Sequence, residues 1–259
     1  MVWMQYIKTL RFMQTDRVLS RHYGAWRRRA VVGAVFGIMT LPLTLRTPSG
    51  SLRGTRSMRS RVKALLTRVF AEPVARWLAR TGVSPNALTI VGLLISVAAA
   101  AAIAVGYVAA GGVVLLAAGL FDMLDGALAR ASNRVTRFGA LLDSTADRVA
   151  EAAVFGGLAW RSVGLGDAAG VMLAFAALVG SFLVSYLRAR SEGLGVQGDV
   201  GIAARPERVI LLALGLLSGL VAPALALVAA LAFVTAGQRL AYAAGKTRET
   251  GPSAGGPAS

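Results

Sequence analysis

Cysteine is absent from this 259-residue chain, and histidine occurs once, at His22. Disulfides and thiolate metal sites are thereby excluded, as is a zinc centre built on several imidazoles. A Ser-His-Asp triad would have to recruit His22, which is remote in sequence from every cluster of acids. Carboxylates are scarce too, with 12 Asp and Glu against 28 Lys and Arg and a net charge of +16. Few acids make the position of each one informative. Long polar stretches of the kind that coat a soluble domain are also missing. The chain is 56% hydrophobic, where a soluble domain holds about 45–50%, and its mean hydropathy is +0.63. Such a composition belongs to a polytopic membrane protein. A basic balance often signals nucleic acid, but here the arginines adjoin apolar runs. Anionic headgroups and phosphate-bearing substrates fit that placement better, and no nucleic-acid partner is expected.

Six apolar runs lie near 85–107, 110–131, 139–161, 167–190, 206–221 and 223–243. They predict an all-α integral membrane fold of six transmembrane helices. Residues 59–82 alternate apolar and basic positions at helical spacing, which predicts an amphipathic surface helix before the first span, bent or broken at Pro73. Gly111, Gly112, Gly164 and Gly166 read as turns, and Pro223 as the opening of the last span. Residues 1–57 differ in character. Their apolar stretch, 30–45, is short and holds Pro42, so they read as a poorly ordered extension or as sequence upstream of a true start at Met58, rather than as an anchor. The membrane domain is expected over 58–245, followed by a disordered tail over 246–259 rich in Gly and Pro. Lys and Arg concentrate before the first span, at 131–138, near 205–208 and in the tail. The opposite turns are nearly uncharged. By the positive-inside rule both termini and the 131–138 side face the cytoplasm, as expected for a plasma-membrane protein.

Against this apolar background one window stands out. From Asp122 to Asp147 the chain reads DMLDGALARASNRVTRFGALLDSTAD. Asp122 and Asp125 are three residues apart, and Asp143 and Asp147 four, so each pair shares one helical face. Ionisable groups at membrane depth are costly and mark cavities or ion sites. Four facing carboxylates repel unless a cation lies between them. Hard oxygen donors favour Mg²⁺ or Mn²⁺. A cation transporter would also place acids in a membrane, but it would not call for an arginine at a fixed offset beside them.

The window fits D-x2-D-G-x2-A-R-x8-G-x3-D-x3-D, and so resembles the CDP-alcohol phosphotransferase family. The matching residues are Asp122, Asp125, Gly126, Ala129, Arg130, Gly139, Asp143 and Asp147. The resemblance implies a metal-dependent enzyme that transfers a phosphatidyl group from CDP-diacylglycerol to an alcohol and releases CMP. It implies two metal ions held by Asp122, Asp125, Asp143 and Asp147, with Asp147 as general base on the acceptor hydroxyl. It also implies CDP-diacylglycerol contacts from Asn86, Thr89, Gly126, Ala129, Arg130, Thr136 and Gly139, and a homodimer among membrane lipids. Taken locally, Ser84 reads as a helix N-cap with Pro85 at the first helical position.

Downstream, SYLRARSEGLGVQGDVGIAARPER (185–208) and Gln238-Arg239 resemble the actinobacterial phosphatidylinositol phosphate synthase group of that family. The acceptor this implies is a phosphorylated polyol, inositol phosphate first and glycerol 3-phosphate as the alternative. Its phosphate would meet Arg188, Arg190, Arg205, Arg208 and Arg239. Arg190 could instead pair with Glu192 or Glu207. Two positions depart from the group, which often carries Lys at 188 and Asp at 86.

Overall fold

Helix stop signals are easy to find in this chain, and they decide where its helices turn. The computed structural model describes residues 71–196 and 200–249, with side chains through 247. Among them the regular structure is helical: α1 (Glu72–Arg80), α2 (Pro85–Ala104), α3 (Val108–Ala131), α4 (Arg137–Gly164), α5 (Ala168–Gly193), α6 (Arg205–Leu217) and α7 (Val221–Glu249). The expected extension over 1–57, the first half of the 59–82 stretch and the end of the tail lie outside the described residues. Pro73 lies in the first turn of α1. α7 runs through Lys246 to Glu249, past the boundary expected at 245.

Ser84 caps α2 by accepting from the Ala87 amide at 3.1 Å, with Pro85 following as expected. α2 ends where Gly106 adopts φ +100°. The Tyr107 amide bonds back to Ala102 O and the Gly106 amide to Ile103 O, which closes the last turn. Gly106, rather than Gly111 or Gly112, is therefore the turn residue. The latter two lie inside α3 and are buried. A Cβ on Gly111 would collide with Ile103, and one on Gly112 would lie 3.0 Å from Leu216 Cβ. Their missing side chains let α3 approach α2 and α6 closely. Gly157 does the same for α4, since a Cβ there would lie 2.5 Å from Ala100 O on α2. In lipid, where apolar burial between helices gains little, close packing of small residues is what holds a bundle together.

α2 packs on α3 and α4, α5 on α4 and α7, α6 on α3 and α7, and α1 on α3. Ile103, Leu115, Phe155, Leu158, Leu212, Leu216, Leu225 and Val228 fill the shared core. Leu94, Val113, Leu120, Leu141, Trp160, Phe175, Leu214 and Leu227 point outward and are exposed. A soluble protein does not carry so continuous an apolar exterior, and the chain is a multi-pass membrane protein. α2, α3, α5 and α7 are long and apolar enough to cross a bilayer. The six-span expectation thus meets helices in all six places, two of them atypical. α4 has the length but carries Asp143, Asp147, Arg148 and Glu151 along its course. α6 has 13 residues, which at about 1.5 Å each falls short of a hydrocarbon core about 30 Å thick.

Candidate active site

The α3–α4 hairpin brings the acids together. α3 ends with Asn133 in the left-handed region at φ +54°. The Arg134 amide bonds to Ala129 O and the Asn133 amide to Arg130 O, so the helix stops sharply. Thr136 then caps α4, its Oγ1 accepting from the Gly139 amide at 2.9 Å. The two helices run back alongside the rest of the bundle with Asp122, Asp143 and Asp147 converging. One carboxylate oxygen from each lies within 4.8 Å of the others. Asp125 is buried, and its Oδ2 accepts from Thr89 Oγ1 at 2.7 Å.

A cation from another helix joins the acids. Arg205, the first residue of α6, places Nη1 3.0 Å from Asp122 Oδ1 and 2.7 Å from Asp147 Oδ1. The other Asp147 oxygen accepts from Arg148 Nη2 at 3.2 Å. Thr89, Asp122, Asp125, Asp147 and Arg205 line one cleft together. Small residues, among them Gly92, Ala118 and Ala146, keep it open. The donor set fits a divalent metal. All four donors are hard carboxylate oxygens, three of them within 4.8 Å of one another, and the described residues hold no thiolate or imidazole.

The residues expected at the nucleotide divide by position. Asn86 and Thr136 meet at Gly139: a Cβ there would lie 3.2 Å from Asn86 Oδ1 and 3.0 Å from Thr136 Oγ1. Gly139 therefore admits both side chains. Gly126 and Ala129 are half-buried late in α3, and Arg130 is exposed, with its Nη1 3.5 Å from a Cβ built on Gly126. The Thr89 hydroxyl faces Asp125, so Thr89 acts on a carboxylate in this structure.

The five arginines expected at the acceptor do not form one cluster. Arg205 belongs to the carboxylate site. Arg208 is buried against Glu151, Nη2 to Oε1 at 2.8 Å. Arg239 is buried and donates from Nε to Val200 O at 2.9 Å and from Nη1 to Val184 O at 2.7 Å. Arg188 is exposed and pairs with Glu192 at 2.9 Å, the partner considered for Arg190. Arg190 is exposed at the end of α5. Arg188 and Arg239 border a second depression with Glu192 and Tyr242. Sequence reasoning passed over Arg148 and Glu151. Both lie within about one turn of Asp147, but the same helix also carries Arg137, Asp143 and Arg161, so charge alone did not set them apart.

Comparison with known proteins agrees with this geometry. The family model for CDP-alcohol phosphatidyltransferase matches residues 82–241. A phosphatidylinositol phosphate synthase of Mycobacterium marinum is 44% identical over 155 residues, 59% of this chain and 66% of the relative. The match thus spans about two thirds of that relative's length. An archaetidylinositol phosphate synthase of Methanothermobacter thermautotrophicus is 37% identical over 192 residues, 72% of this chain and 94% of its own. A crystal structure of Mycobacterium tuberculosis phosphatidylinositol phosphate synthase with CDP-DAG bound has a TM-score of 0.63 at 36% identity, covering 73% of this chain and 98% of that one. A second, in complex with manganese and citrate, has a TM-score of 0.61 at 36% identity, covering 73% of this chain and 94% of that one. The match runs over more than half of the sequence and includes Asp122, Asp125, Asp143 and Asp147, so the chain belongs to the CDP-alcohol phosphatidyltransferase family.

Proposed function

We propose that this protein transfers a phosphatidyl group from CDP-diacylglycerol to inositol phosphate, giving phosphatidylinositol phosphate and CMP. The observation that carries the reading is the convergence of Asp122, Asp143 and Asp147, with Arg205 bound to two of them. Asp122, Asp125, Asp143 and Asp147 would hold Mg²⁺ or Mn²⁺, two ions per site. Metal held there would supply charge neutralisation for the diphosphate and the departing CMP. Asp147 is the base that takes the proton of the acceptor hydroxyl at its carboxylate, with Arg148 and Arg205 holding its two oxygens in place. Gly126, Ala129 and Gly139 leave space for the nucleotide, while Asn86, Thr136 and Arg130 border it. Thr89 orients Asp125. Arg205 supplies a guanidinium fork for an acceptor phosphate, with Arg188, Arg190, Arg208 and Arg239 supporting that side of the protein. Phosphoryl transfer relies on placement and charge, and no covalent protein intermediate is required.

The whole bundle from α2 to α7 is read as six membrane crossings. Charge distribution supports a plasma-membrane orientation with the α3–α4 loop and both termini in the cytoplasm. The donor's acyl chains then stay in lipid while the acceptor arrives from water. A homodimer fits the family. A cation-conducting role is disfavoured, because Arg205 sits among the acids that would line the path.

The test is CMP release by purified protein with CDP-diacylglycerol and Mg²⁺ or Mn²⁺. Inositol phosphate, glycerol 3-phosphate, inositol and serine are compared as acceptors. Release with inositol phosphate alone is expected. Release with glycerol 3-phosphate in preference would reassign the acceptor, and none with any acceptor would overturn the reading.

A further inference from the structure

One turn beyond Asp147, α4 buries another carboxylate, Glu151, that the reaction leaves without a task. Its side chain is 6% exposed and that of its partner Arg208 is 3% exposed. Glu151 Oε2 lies 3.9 Å from Arg148 Nε, and its charge also reaches Arg205. One acid thus stands among three arginines. A buried ion pair loses hydration that a well-packed apolar pair would never need to give up, so stability alone is a weak reason to keep one.

The other end of Arg208 suggests the reason. Its Nη1 donates to Ala203 O at 3.1 Å. Ala203 belongs to the irregular segment that leads into α6, and α7 binds that segment from its other side. Thr235 Oγ1 accepts from the Ala203 amide at 3.1 Å, and Gln238 Oε1 accepts from the Ile202 amide at 3.1 Å. Arg239 Nε donates to Val200 O at 2.9 Å. A stretch with no helix of its own is therefore held through its backbone by side chains of two helices. Two residues after Ala203 comes Arg205, in contact with Asp122 and Asp147.

We propose that Glu151 is a positioning residue. By fixing Arg208 it pins the backbone of residues 202–204, and so aims Arg205 at the phosphate of the second substrate. The last step rests on the reading that Arg205 serves the acceptor. Glu151 touches no reacting atom, so its loss acts on the acceptor's KM and leaves the donor's nearly unchanged.

Glu151→Gln alone would strand Arg208 in the interior and lower stability whatever the role of the pair. The deciding variant is Glu151→Met with Arg208→Leu, which keeps volume and removes both buried charges but cannot bind Ala203 O. Full-length protein in lipid nanodiscs is measured in two ways. Amide hydrogen exchange is followed at Ile202 and Ala203, and KM is determined for donor and acceptor. Both amides should exchange roughly tenfold faster, with α2 unchanged, and acceptor KM should rise roughly tenfold, the equivalent of one lost hydrogen bond. Wild-type exchange at both amides, or uniform acceleration through the bundle, would overturn the pin. Faster local exchange with an unchanged acceptor KM would overturn the positioning role. If wild-type protein released no CMP, the proposed function would fall, while the exchange rates would still decide whether Glu151 pins the segment.

Discussion

Thr89→Val is a narrow perturbation with a calculable outcome. Valine matches threonine in shape, so the packing of α2 against α3 is retained. What disappears is one hydrogen bond, 2.7 Å from Thr89 Oγ1 to Asp125 Oδ2, in a buried setting. The hydroxyl also lies 3.2 Å from Pro85 O, but it has one proton and the shorter contact is to the carboxylate. A hydrogen bond to a charged group contributes about 1.5–3 kcal/mol. At about 1.4 kcal/mol per decade that is roughly 10- to 150-fold in an equilibrium constant. Loss of a partner that orients a metal ligand independently costs about 10- to 100-fold in affinity, and the two ranges agree. Mn²⁺ binding is measured by the electron paramagnetic resonance signal of the free ion, and CMP release is titrated against the same metal. Thr89→Val should shift both midpoints upward together by at least about tenfold. Thr89→Ser, which keeps the hydroxyl, should stay near wild type. Wild-type Mn²⁺ affinity in the valine variant would refute the reasoning, because Asp125 would then not depend on Thr89 or would not hold metal.

Asp147→Asn should lower turnover by about 10²–10⁴-fold while CDP-diacylglycerol binding, followed by equilibrium titration, changes little; near-normal turnover would remove Asp147 as base. Arg239→Ala removes two bonds to backbone carbonyls, at Val200 and Val184, and should raise the acceptor KM more than the donor KM; equal increases would mean that Arg239 only supports the fold. Gly157→Ala should lower the thermal midpoint in detergent, because the new Cβ meets the Ala100 carbonyl at 2.5 Å and overpacking costs about 1–3 kcal/mol. Gly156→Ala, next to it with open space around it, should leave the midpoint unchanged or raise it slightly.

The legible parts of this protein are those written by local spacing. The helix start at Ser84 and Pro85 follows from capping chemistry, and the same rules place Gly166 in a turn after α4. The four acids are informative because a membrane helix tolerates so few, and their i,i+3 and i,i+4 offsets indicate that they share faces. Gly111 and Gly112 were misread because a glycine pair signals a turn and a close helix contact equally well. Only the neighbouring Ile103 and Leu216 separate the two. The arginines were harder still. Arg205 and Arg208 are one turn apart on α6, yet one meets Asp122 and Asp147 and the other meets Glu151. That division depends on how α6 lies across α3 and α4, which no spacing within α6 encodes. Glu151 itself has no motif around it, and its importance emerges only with the three arginines in place.

The sharp turn between α3 and α4 also sets a depth. Asp125 and Asp122 lie six and nine residues before the last residue of α3, and Asp143 and Asp147 six and ten after the first of α4. At about 1.5 Å per residue, the carboxylates sit roughly 9–15 Å below the tip of the hairpin. That is a third to a half of a hydrocarbon slab about 30 Å thick. The carboxylates therefore lie about two to three helical turns down from the loop rather than at the loop itself. On the proposed function, a water-soluble acceptor has to pass down the length of the hairpin and shed hydration on the way. On the same reading the lipid donor can enter sideways, along the chains of its neighbours.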